Sequence, residues 1–287
     1  MRVLIFLAAW KRPEITEICF MGINRLRKNS RFPIETLVVI SEESMIPLCN
    51  KYDIRWTFYK NDPLGEKKNH ALNVAMNEIV WDYLIEIGSD DIIKDELLEL
   101  YYPLMGTYDF FGTKDAVIIN SANGDCRRLR SDTPYGLGRC LSRKALESCY
   151  GVEVMANEPI ISSKFNIPTG KFGHVRVEQA KELEGLGRVK ITGKPRYKLW
   201  NDEINKGLDN SSDYFLMKQG IGHRGVSTNK PLCIDIKSEV NIWPFHERLG
   251  EKFKIEQALE GLSNEEQSMI CALWKKRNVI EYANNIQ

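Results

Sequence analysis

The 287-residue sequence has no closely spaced pair of cysteines and an odd number of them. The seven cysteines are Cys19, Cys49, Cys126, Cys140, Cys149, Cys233 and Cys271. Disulfide frameworks and structural zinc sites need paired or clustered cysteines, so the pattern excludes both as organising features. The sequence therefore predicts a protein of a reducing compartment.

Long apolar runs and a strong net charge are also missing. No apolar stretch approaches the ~20 residues that cross a bilayer, and the formal charge is only +1. The apolar run from Val3 to Ala9 is short for a signal peptide and is followed by polar residues, so it is predicted to be a strand. We expect a cytoplasmic protein, peripheral to a membrane at most, with no global attraction to nucleic acid or anionic lipid.

What the sequence does contain is an alternation of strand and helix patterns, in a chain long enough for a substantial core. The run from Val3 to Ala9 precedes a helical pattern from Glu14 to Leu26, and a second apolar strand ends at Ile40. Strands and helices that alternate at this pace predict an α/β domain with a mostly parallel sheet. In such sheets ligands bind beyond the carboxyl ends of the strands.

The apolar run from Tyr83 to Ile87 stops at Gly88 and is followed by two adjacent carboxylates, Asp90 and Asp91. This run is predicted to be a buried strand, and two interpretations of its end fit the residues equally. Hard oxygen ligands at the carboxyl end of a strand suit Mg²⁺ or Mn²⁺ bound to a diphosphate. Aspartates also favour turns and helix caps, and a helix is predicted to start near Lys94.

Polar residues also follow the first two predicted strands. After the first strand, Arg12 is placed to meet a phosphate and Trp10 a base; a solvated basic turn with Trp10 covering the core is the alternative. After the second strand, Ser41 and Glu42 are placed to hydrogen-bond a nucleoside, and helix capping explains them equally well.

A helix is predicted to open at Gly65, with asparagines on one face at Asn69, Asn73 and Asn77. Asparagine is a poor residue for a helix interior, so the stripe indicates either an edge that faces a ligand or a solvated face. Lys68 lies in the first turn, where the helix macrodipole disfavours a cation. A bound anion at that end of the helix would relieve the conflict.

Four of these features occur in an order that resembles a known family: the Trp-Lys-Arg-Pro loop, the Ser41-Glu42 strand end, the segment from Gly65 to Asn73 and the Gly-Ser-Asp-Asp strand end. Together they resemble the nucleotide-sugar half of a GT-A glycosyltransferase, most similar to family 2. The resemblance implies a Rossmann-like, mostly parallel central sheet with flanking helices, plus a C-terminal helical extension. It implies a GT-A domain over residues 1–245, with a nucleotide-sugar half at about 1–120 and an acceptor half at about 121–245, and an extension over 246–287.

The resemblance also implies a metal site, because an Asp-X-Asp motif in this family holds a divalent cation on the sugar-nucleotide diphosphate. Matched by position, the first Asp of that motif falls on Gly88 and the second on Asp90, so Asp90 and Asp91 are implied to carry Mn²⁺ or Mg²⁺. Some GT-A enzymes use a late histidine as a further ligand, which corresponds to His223. The residues implied to bind the nucleotide are Ala8, Trp10, Arg12, Ser41, Glu42, Lys68, Asn69, Asn73, Ser89 and Lys237.

A Glu-Asp motif supplies the catalytic base in this family, and it matches Leu208-Asp209, with Asp213 as the reserve candidate. Asp209 as a helix cap fits the same residues. The implied activity is transfer of a sugar from a nucleotide-diphosphate donor, with UDP favoured, to an acceptor hydroxyl, inverting and metal-assisted. A nucleotidyltransferase of similar architecture and a non-catalytic nucleotide-sugar binding protein are the alternatives. The acceptor stays open among a saccharide, a lipid-linked sugar, a protein and a modified nucleic acid, including a modified DNA base.

Four other segments carry weaker predictions. The segment from Arg127 to Arg130 is predicted to be a solvated charge run, and the segment from Tyr135 to Leu146 a glycine-rich loop that enters a helix. Residues 157–197 have little periodicity and many Gly, Lys and Pro residues, so they are predicted to form an irregular segment that is a mobile or acceptor-specific insertion. Near the C-terminus, Ser263 and Glu266 match a capping box for a final helix whose apolar face is predicted to pack on the domain.

Overall fold

A computed structural model of the chain describes residues 1–156, 172–239, 241, 245–246 and 250–284. The strands are β1 (Val3–Ala8), β2 (Ile34–Ile40), β3 (Arg55–Phe58), β4 (Tyr83–Gly88), β5 (Asp91–Ile93), β6 (Phe110–Thr113), β7 (Asp115–Asn120), β8 (Cys126–Arg130), β9 (Arg139–Ser142), β10 (Tyr150–Ala156), β11 (Phe172–Val175), β12 (Val189–Ile191), β13 (Arg196–Tyr197), β14 (Arg224–Val226), β15 (Cys233–Lys237) and β16 (Glu251–Lys252). The α-helices are α1 (Pro13–Asn29), α2 (Ile46–Lys51), α3 (Leu64–Glu78), α4 (Asp95–Tyr101), α5 (Arg143–Glu147), α6 (Val177–Gly185), α7 (Leu208–Lys218), α8 (Ile255–Leu259) and α9 (Asn264–Asn284). Among the helices described, none combines the length and apolarity that crossing a membrane requires.

The chain divides into two units that interleave along the sequence. Unit 1 comprises Met1–Asn61, Trp81–Ser142 and His223–Gln287, and unit 2 comprises Asp62–Val80 and Arg143–Gly222. Unit 1 contains β1–β9 and β14–β16 in two sheets, and unit 2 contains β10–β13.

The larger sheet of unit 1 has seven strands in the order β14-β6-β9-β4-β1-β2-β3. Its strands are parallel except β9, which runs antiparallel between β6 and β4. The apolar residues of β4, those of β1 from Val3 to Leu7 and those of β2 from Leu37 to Ile40 are buried, as parallel strands covered on both faces require. The register sets Ala8 beside Val39 on one side and Gly88 on the other, so the carboxyl ends of three strands meet at one edge. The predicted α/β fold with a mostly parallel central sheet is confirmed.

The second sheet of unit 1 has the order β16-β8-β7-β15-β5 and covers a separate apolar cluster. Ile18 of α1, Ile234 of β15 and Ile270 of α9 are buried together in this cluster. The predicted capping box starts α9: the Ser263 amide donates to Glu266 Oε2 at 2.8 Å, and the Glu266 amide donates to Ser263 Oγ at 3.2 Å. The final helix therefore packs on its own chain, as predicted.

Two arginine-containing segments differ in the structure from what their sequences predict. The segment predicted to be a solvated charge run forms β8, in which Arg128 is buried and lies 2.8 Å from Asp115. Part of the predicted glycine-rich loop forms β9, in which Arg139 is buried and lies 2.6 Å from Glu86. Each arginine is buried because a carboxylate on the neighbouring strand pairs with it, which a single sequence does not reveal.

Unit 2 is built around a small antiparallel sheet in which β10 pairs with β11, β12 and β13. Val152 and Val154 of β10 pack with Ala180 and Leu183 of α6 in its core. Much of the predicted irregular insertion is therefore regular structure; its first part, residues 157–171, lies outside the described residues.

Candidate functional site

The edge where β1, β2 and β4 end brings together residues that are far apart in the sequence. Trp10 and Arg12 follow β1, Ser41 and Glu42 follow β2, and Ser89 follows β4. The parallel register described above places these segments side by side, as the strand pattern predicts. Ser41 Oγ is buried and has no hydrogen-bond partner among the described residues.

The loop after β1 has an unusual backbone that directs Arg12 across this edge. Lys11 and Arg12 both have left-handed backbone angles, with φ of 54° and 53°, which are rare for residues other than glycine. The Lys11 amide donates to Glu42 Oε2 at 3.1 Å, and the Lys11 ammonium lies 4.3 Å from the centre of the Trp10 ring. Glu42 therefore holds the turn that presents Arg12.

The Arg12 guanidinium lies among the residues that follow β4. Its Nη1 donates to Asp90 Oδ2 at 2.9 Å and to Asn241 Oδ1 at 2.8 Å, and its Nη2 donates to Ser89 Oγ at 3.3 Å. Asn241 in turn donates to Asp90 through Nδ2. Asp90 is thus bound by one cation and one amide, both from distant parts of the chain.

Three carboxylates converge at this edge, and we call them the carboxylate cluster: Asp90, Asp91 and Asp235. One ligand oxygen from each lies within 4.8 Å of the others. Asp235 pairs with Lys237, which follows it on β15. Asp235 is not among the residues predicted from the sequence, although a carboxylate between the apolar residues Ile234 and Ile236 of β15 is an unusual feature that marks it.

The geometry of Gly88 explains why this position is a glycine. A Cβ atom on Gly88 would lie 2.6 Å from Asp90 Oδ1 and 3.0 Å from Asp91 Oδ2. The Gly88 amide also donates to Asp91 Oδ2. Any side chain at position 88 would therefore displace the two carboxylates that follow it.

Burial and mutual repulsion change the pKa values in the carboxylate cluster. Burial raises the pKa of Asp91 well above its usual range, and the charges of Asp235 and Asp90 raise it further. Burial also raises the pKa of Asp235 to about 7; Asp90 adds to the rise and Lys237 opposes it. Burial acts to lower the pKa of Lys237, but Asp235 and Asp90 outweigh it and the pKa is raised. A cation bound among these carboxyl groups would favour their ionised forms and lower their pKa values.

The donor set of the carboxylate cluster fits a hard divalent cation. Mg²⁺ and Mn²⁺ prefer oxygen ligands, and all three groups are carboxylates. His223, predicted as a further ligand, is outside this group of three. Its ring lies edge-on to Phe110 with a centroid distance of 5.8 Å, and its buried Nδ1 has no hydrogen-bond partner in the described part of the chain. A metal-binding role for His223 stays a prediction.

The predicted nucleotide-binding asparagines lie in unit 2, where they bind the backbone. Asn69 is fully buried: its Oδ1 accepts from the amides of Leu199 and Trp200, and its Nδ2 donates to the Trp200 carbonyl and to Asp202 at 2.7 Å each. The side-chain Nδ2 of Asn73 donates to the Tyr197 carbonyl, and its Oδ1 accepts from the Tyr197 amide. Asn69 and Asn73 therefore hold the segment 197–202 on α3. The side-chain amide of Asn69 already makes all four of its hydrogen bonds, so none is left for a ligand.

Lys68, also in α3, is buried against an aromatic ring. Its ammonium lies 4.7 Å from the centre of the Trp200 ring, a cation–π contact within unit 2. The anion-binding role predicted from its place in the first helical turn stays a prediction.

An Asn69→Ala variant is expected to destabilise unit 2 by at least about 2 kcal/mol, because buried backbone groups left without partners cost about 1–3 kcal/mol each. Urea unfolding followed by the fluorescence of the tryptophans, Trp200 among them, measures the change. Asn77→Ala is the matched control, since Asn77 is exposed on the same helix and its side-chain amide donates to the Asn73 carbonyl. Equal effects of the two substitutions would contradict a structural role for Asn69.

The candidate catalytic carboxylates, Asp209 and Asp213, both lie on α7 of unit 2. The helix starts after Gly207, whose backbone is left-handed with φ of 69°, so Asp209 is its second residue and not its N-cap. Asp209 is exposed and Asp213 is half-buried. The capping alternative for Asp209 is therefore wrong, while its role as a base stays a prediction.

Comparison with known proteins finds likeness only among solved structures. No protein-family model and no curated protein sequence matches the chain. The chain is similar to S. aureus TarS 1-349, with 14% identity, a TM-score of 0.42 and coverage of 96% of this chain and 71% of that one. It is similar to the mannosyltransferase PcManGT of Pyrobaculum calidifontis in complex with GDP-Man and Mn²⁺, with 12% identity and a TM-score of 0.45. That match covers 94% of this chain and 73% of the mannosyltransferase chain. It is also similar to glucosyl-3-phosphoglycerate synthase of Mycobacterium tuberculosis, with 14% identity and a TM-score of 0.38. That match covers 52% of this chain and 60% of the synthase chain.

These likenesses are distant. The identities are 12–14% and the TM-scores lie below 0.5, so they assign neither substrate nor mechanism. The chain also spans less than two thirds of the glucosyl-3-phosphoglycerate synthase chain. The chemistry of the protein has to be inferred from its own side chains.

Proposed function

We propose that the chain is a glycosyltransferase that moves a sugar from a nucleotide-diphosphate donor, with a UDP-sugar favoured, to an acceptor hydroxyl. The observation that carries the proposal is the carboxylate cluster, which lies beside Arg12 and Lys237 at the edge where three parallel strands end. Carboxylates for a divalent cation, combined with two positive side chains, suit a diphosphate better than a neutral ligand.

The residues around the cluster divide into those that suit the nucleoside and those that suit the diphosphate. Trp10 offers an aromatic face to a base, and Ser41 offers a buried hydroxyl with no partner among the described residues. Arg12 and Lys237 are held by carboxylates and are available to exchange these for phosphate oxygens when the donor binds. We assign the nucleoside to the ends of β1 and β2 and the diphosphate to the end of β4.

Departure of the nucleoside diphosphate requires charge stabilisation, and a bound Mn²⁺ or Mg²⁺ supplies it as a Lewis acid. Asp90 and Asp91 are the residues that would hold this cation. Arg12 and Lys237 add positive charge to the leaving group. Asp209 is proposed to remove the proton of the acceptor hydroxyl during an inverting attack on the anomeric carbon, with Asp213 in reserve.

The acceptor is proposed only as a hydroxyl compound. A saccharide, a lipid-linked sugar, a protein and a modified nucleic acid, including a modified DNA base, fit the proposal. The net charge of +1 favours none of the charged acceptors.

Asp90→Asn is expected to weaken binding of UDP in the presence of Mn²⁺ by at least about tenfold, because it removes a charged cation ligand and a partner of Arg12. Calorimetric titration of UDP and GDP, with Mn²⁺ and with a chelator, measures the change. Asp125→Asn is the control, because that carboxylate pairs with Arg127 outside the cluster and should leave binding unchanged.

A screen of nucleotide sugars for turnover then separates the alternatives. Release of nucleoside diphosphate supports glycosyl transfer, whereas release of pyrophosphate from a nucleoside triphosphate identifies a nucleotidyltransferase. Donor binding without turnover under any acceptor condition identifies a non-catalytic binding protein. Equal affinity for UDP with Mn²⁺ and with chelator would remove the metal from the proposal.

A further inference from the structure

We propose that Asp235 is the third carboxylate ligand of the divalent cation at Asp90 and Asp91, and that it supplies the carboxylate that position 88 cannot. This inference deepens the proposed function, on which its biological meaning rests, because it identifies a ligand of the same cation. Binding of Mn²⁺ to the chain, without any nucleotide, tests it.

The pairing of β5 with β15 brings Asp235 to the cluster. The two strands are antiparallel, and their register sets Asp235 directly opposite Asp91. The amide of Ile236 donates to the carbonyl of Asp90 at 2.9 Å, which extends the pairing to the residue before β5. Directly opposed residues of an antiparallel pair have neighbouring side chains on one face. Two ionised carboxylates in that arrangement repel each other, and a cation between them would relieve the repulsion.

One oxygen of Asp235 has no assigned partner. Its Oδ2 pairs with the Lys237 ammonium, whereas its Oδ1 is buried and accepts no hydrogen bond among the described residues. A buried carboxylate oxygen without a donor is costly, so such groups call for a ligand. Because oxygens of Asp90 and Asp91 lie within 4.8 Å of this carboxylate, a cation bound by all three satisfies it.

Gly88 offers no ligand from its own strand, and a side chain there would have to displace the two carboxylates. The resemblance to family 2 would place the first motif aspartate at this position, but a Cβ there would lie 2.6 Å from Asp90 Oδ1. The space that a side chain at position 88 would need is already filled by the two carboxylates that follow it. Asp235 reaches the same cluster from β15 without that clash.

The charges of the site favour a cation over the alternative that Asp235 serves only to pair with Lys237. Asp90, Asp91 and Asp235 carry three negative charges when ionised, and Arg12 and Lys237 supply two positive charges. With all three ionised, one negative charge would be left over in a largely buried site, and buried charges need partners. A divalent cation neutralises it and leaves the site positive, as binding of a diphosphate requires.

The test measures Mn²⁺ binding to the full chain without nucleotide, by calorimetry and by electron paramagnetic resonance of the free ion. Asp235→Asn is expected to weaken Mn²⁺ binding at least about tenfold, because the substitution removes a ligand charge while keeping the shape of the side chain. Asp115→Asn is the matched control, since Asp115 is a buried carboxylate of the same sheet that pairs with Arg128 instead. Mn²⁺ affinity within twofold of wild type in Asp235→Asn would overturn the assignment.

Lys237→Met keeps the test decisive if Asp235→Asn does not fold. Removal of the ammonium frees Asp235 Oδ2, so the proposal expects Mn²⁺ affinity equal to or higher than that of the wild type. A tenfold loss in Lys237→Met would overturn it. Neither measurement involves a donor sugar, so absence of glycosyl transfer would refute the proposed function while leaving the assignment of Asp235 to be decided by Mn²⁺ binding.

Discussion

An Asp209→Asn variant is expected to bind the donor with nearly wild-type affinity and to turn it over about 10²–10⁴-fold more slowly, the usual loss when a general base is removed. Asp209 is exposed in the first turn of α7, where a carboxylate can meet an acceptor hydroxyl from solvent. Single-turnover kinetics with saturating donor measure the change. A drop in the chemical step with an unchanged donor Kd is the expected signature of a lost base.

Asp213→Asn is the matched control, one helical turn away on α7. Since Gly207 is the N-cap, neither substitution removes a cap, and the expected change in stability is below about 1 kcal/mol for a charge near a helix N-terminus. Thermal unfolding of both variants checks this. Wild-type turnover in Asp209→Asn, or a larger loss in Asp213→Asn, would contradict the assignment.

An Arg25→Met variant is expected to lose about 3–5 kcal/mol of unfolding free energy, because it leaves a buried carboxylate without its cation. Arg25 Nε donates to Glu266 Oε2 at 2.9 Å, its Nη2 donates to the Ile93 carbonyl at 3.0 Å, and its Nη1 pairs with Asp95. Glu266 is fully buried. Chemical denaturation followed by circular dichroism measures the loss.

Arg31→Met provides the control for Arg25→Met. Arg31 pairs with Glu99 at 2.7 Å, but both side chains are more than half exposed, and exposed pairs contribute at most about 1 kcal/mol. Similar losses in the two variants would contradict the importance of the buried network. A large loss only in Arg25→Met would show that α1, α4 and α9 depend on one guanidinium.

The Arg25 network also relates the C-terminal helix to the site. Glu266 belongs to α9, and Ile93, whose carbonyl accepts from Arg25, lies on β5 with Asp91. The capping box that starts α9 uses the same Glu266 carboxylate. Arg25 therefore connects the C-terminal helix to the strand that carries Asp91, and we expect Arg25→Met to weaken Mn²⁺ binding as well as stability.

Much of the edge where β1, β2 and β4 end could be predicted because its signals are local. The apolar runs of β1, β2 and β4 are long enough to identify as buried strands, and the polar residues after each run are adjacent to it in the sequence. Alternation with helices then requires parallel strands, whose carboxyl ends share an edge. Arg12, Ser41, Glu42 and Asp90 could be grouped on these grounds alone.

Other parts of the fold gave no such signal. Arg139 on β9 and Arg128 on β8 look like surface residues because buried arginines are rare without partners. Their partners, Glu86 and Asp115, lie on neighbouring strands that only the folded chain brings close. The asparagine stripe of α3 was recognised as unusual, but its partners in segment 197–202 could not be identified from helical spacing.

The sequence by itself determined the α/β class, the positions of the first strands along the chain and the placement of Asp90 and Asp91 at the end of a buried strand, because these depend on periodicity over a few residues. Only the tertiary structure decided that Asp235 faces Asp91, because the register of an antiparallel pair between distant segments is fixed by packing and not by local pattern. The same reasoning applies to Gly88: its lack of a side chain could be read from the sequence, but the carboxylates that fill the space became visible only in the folded chain.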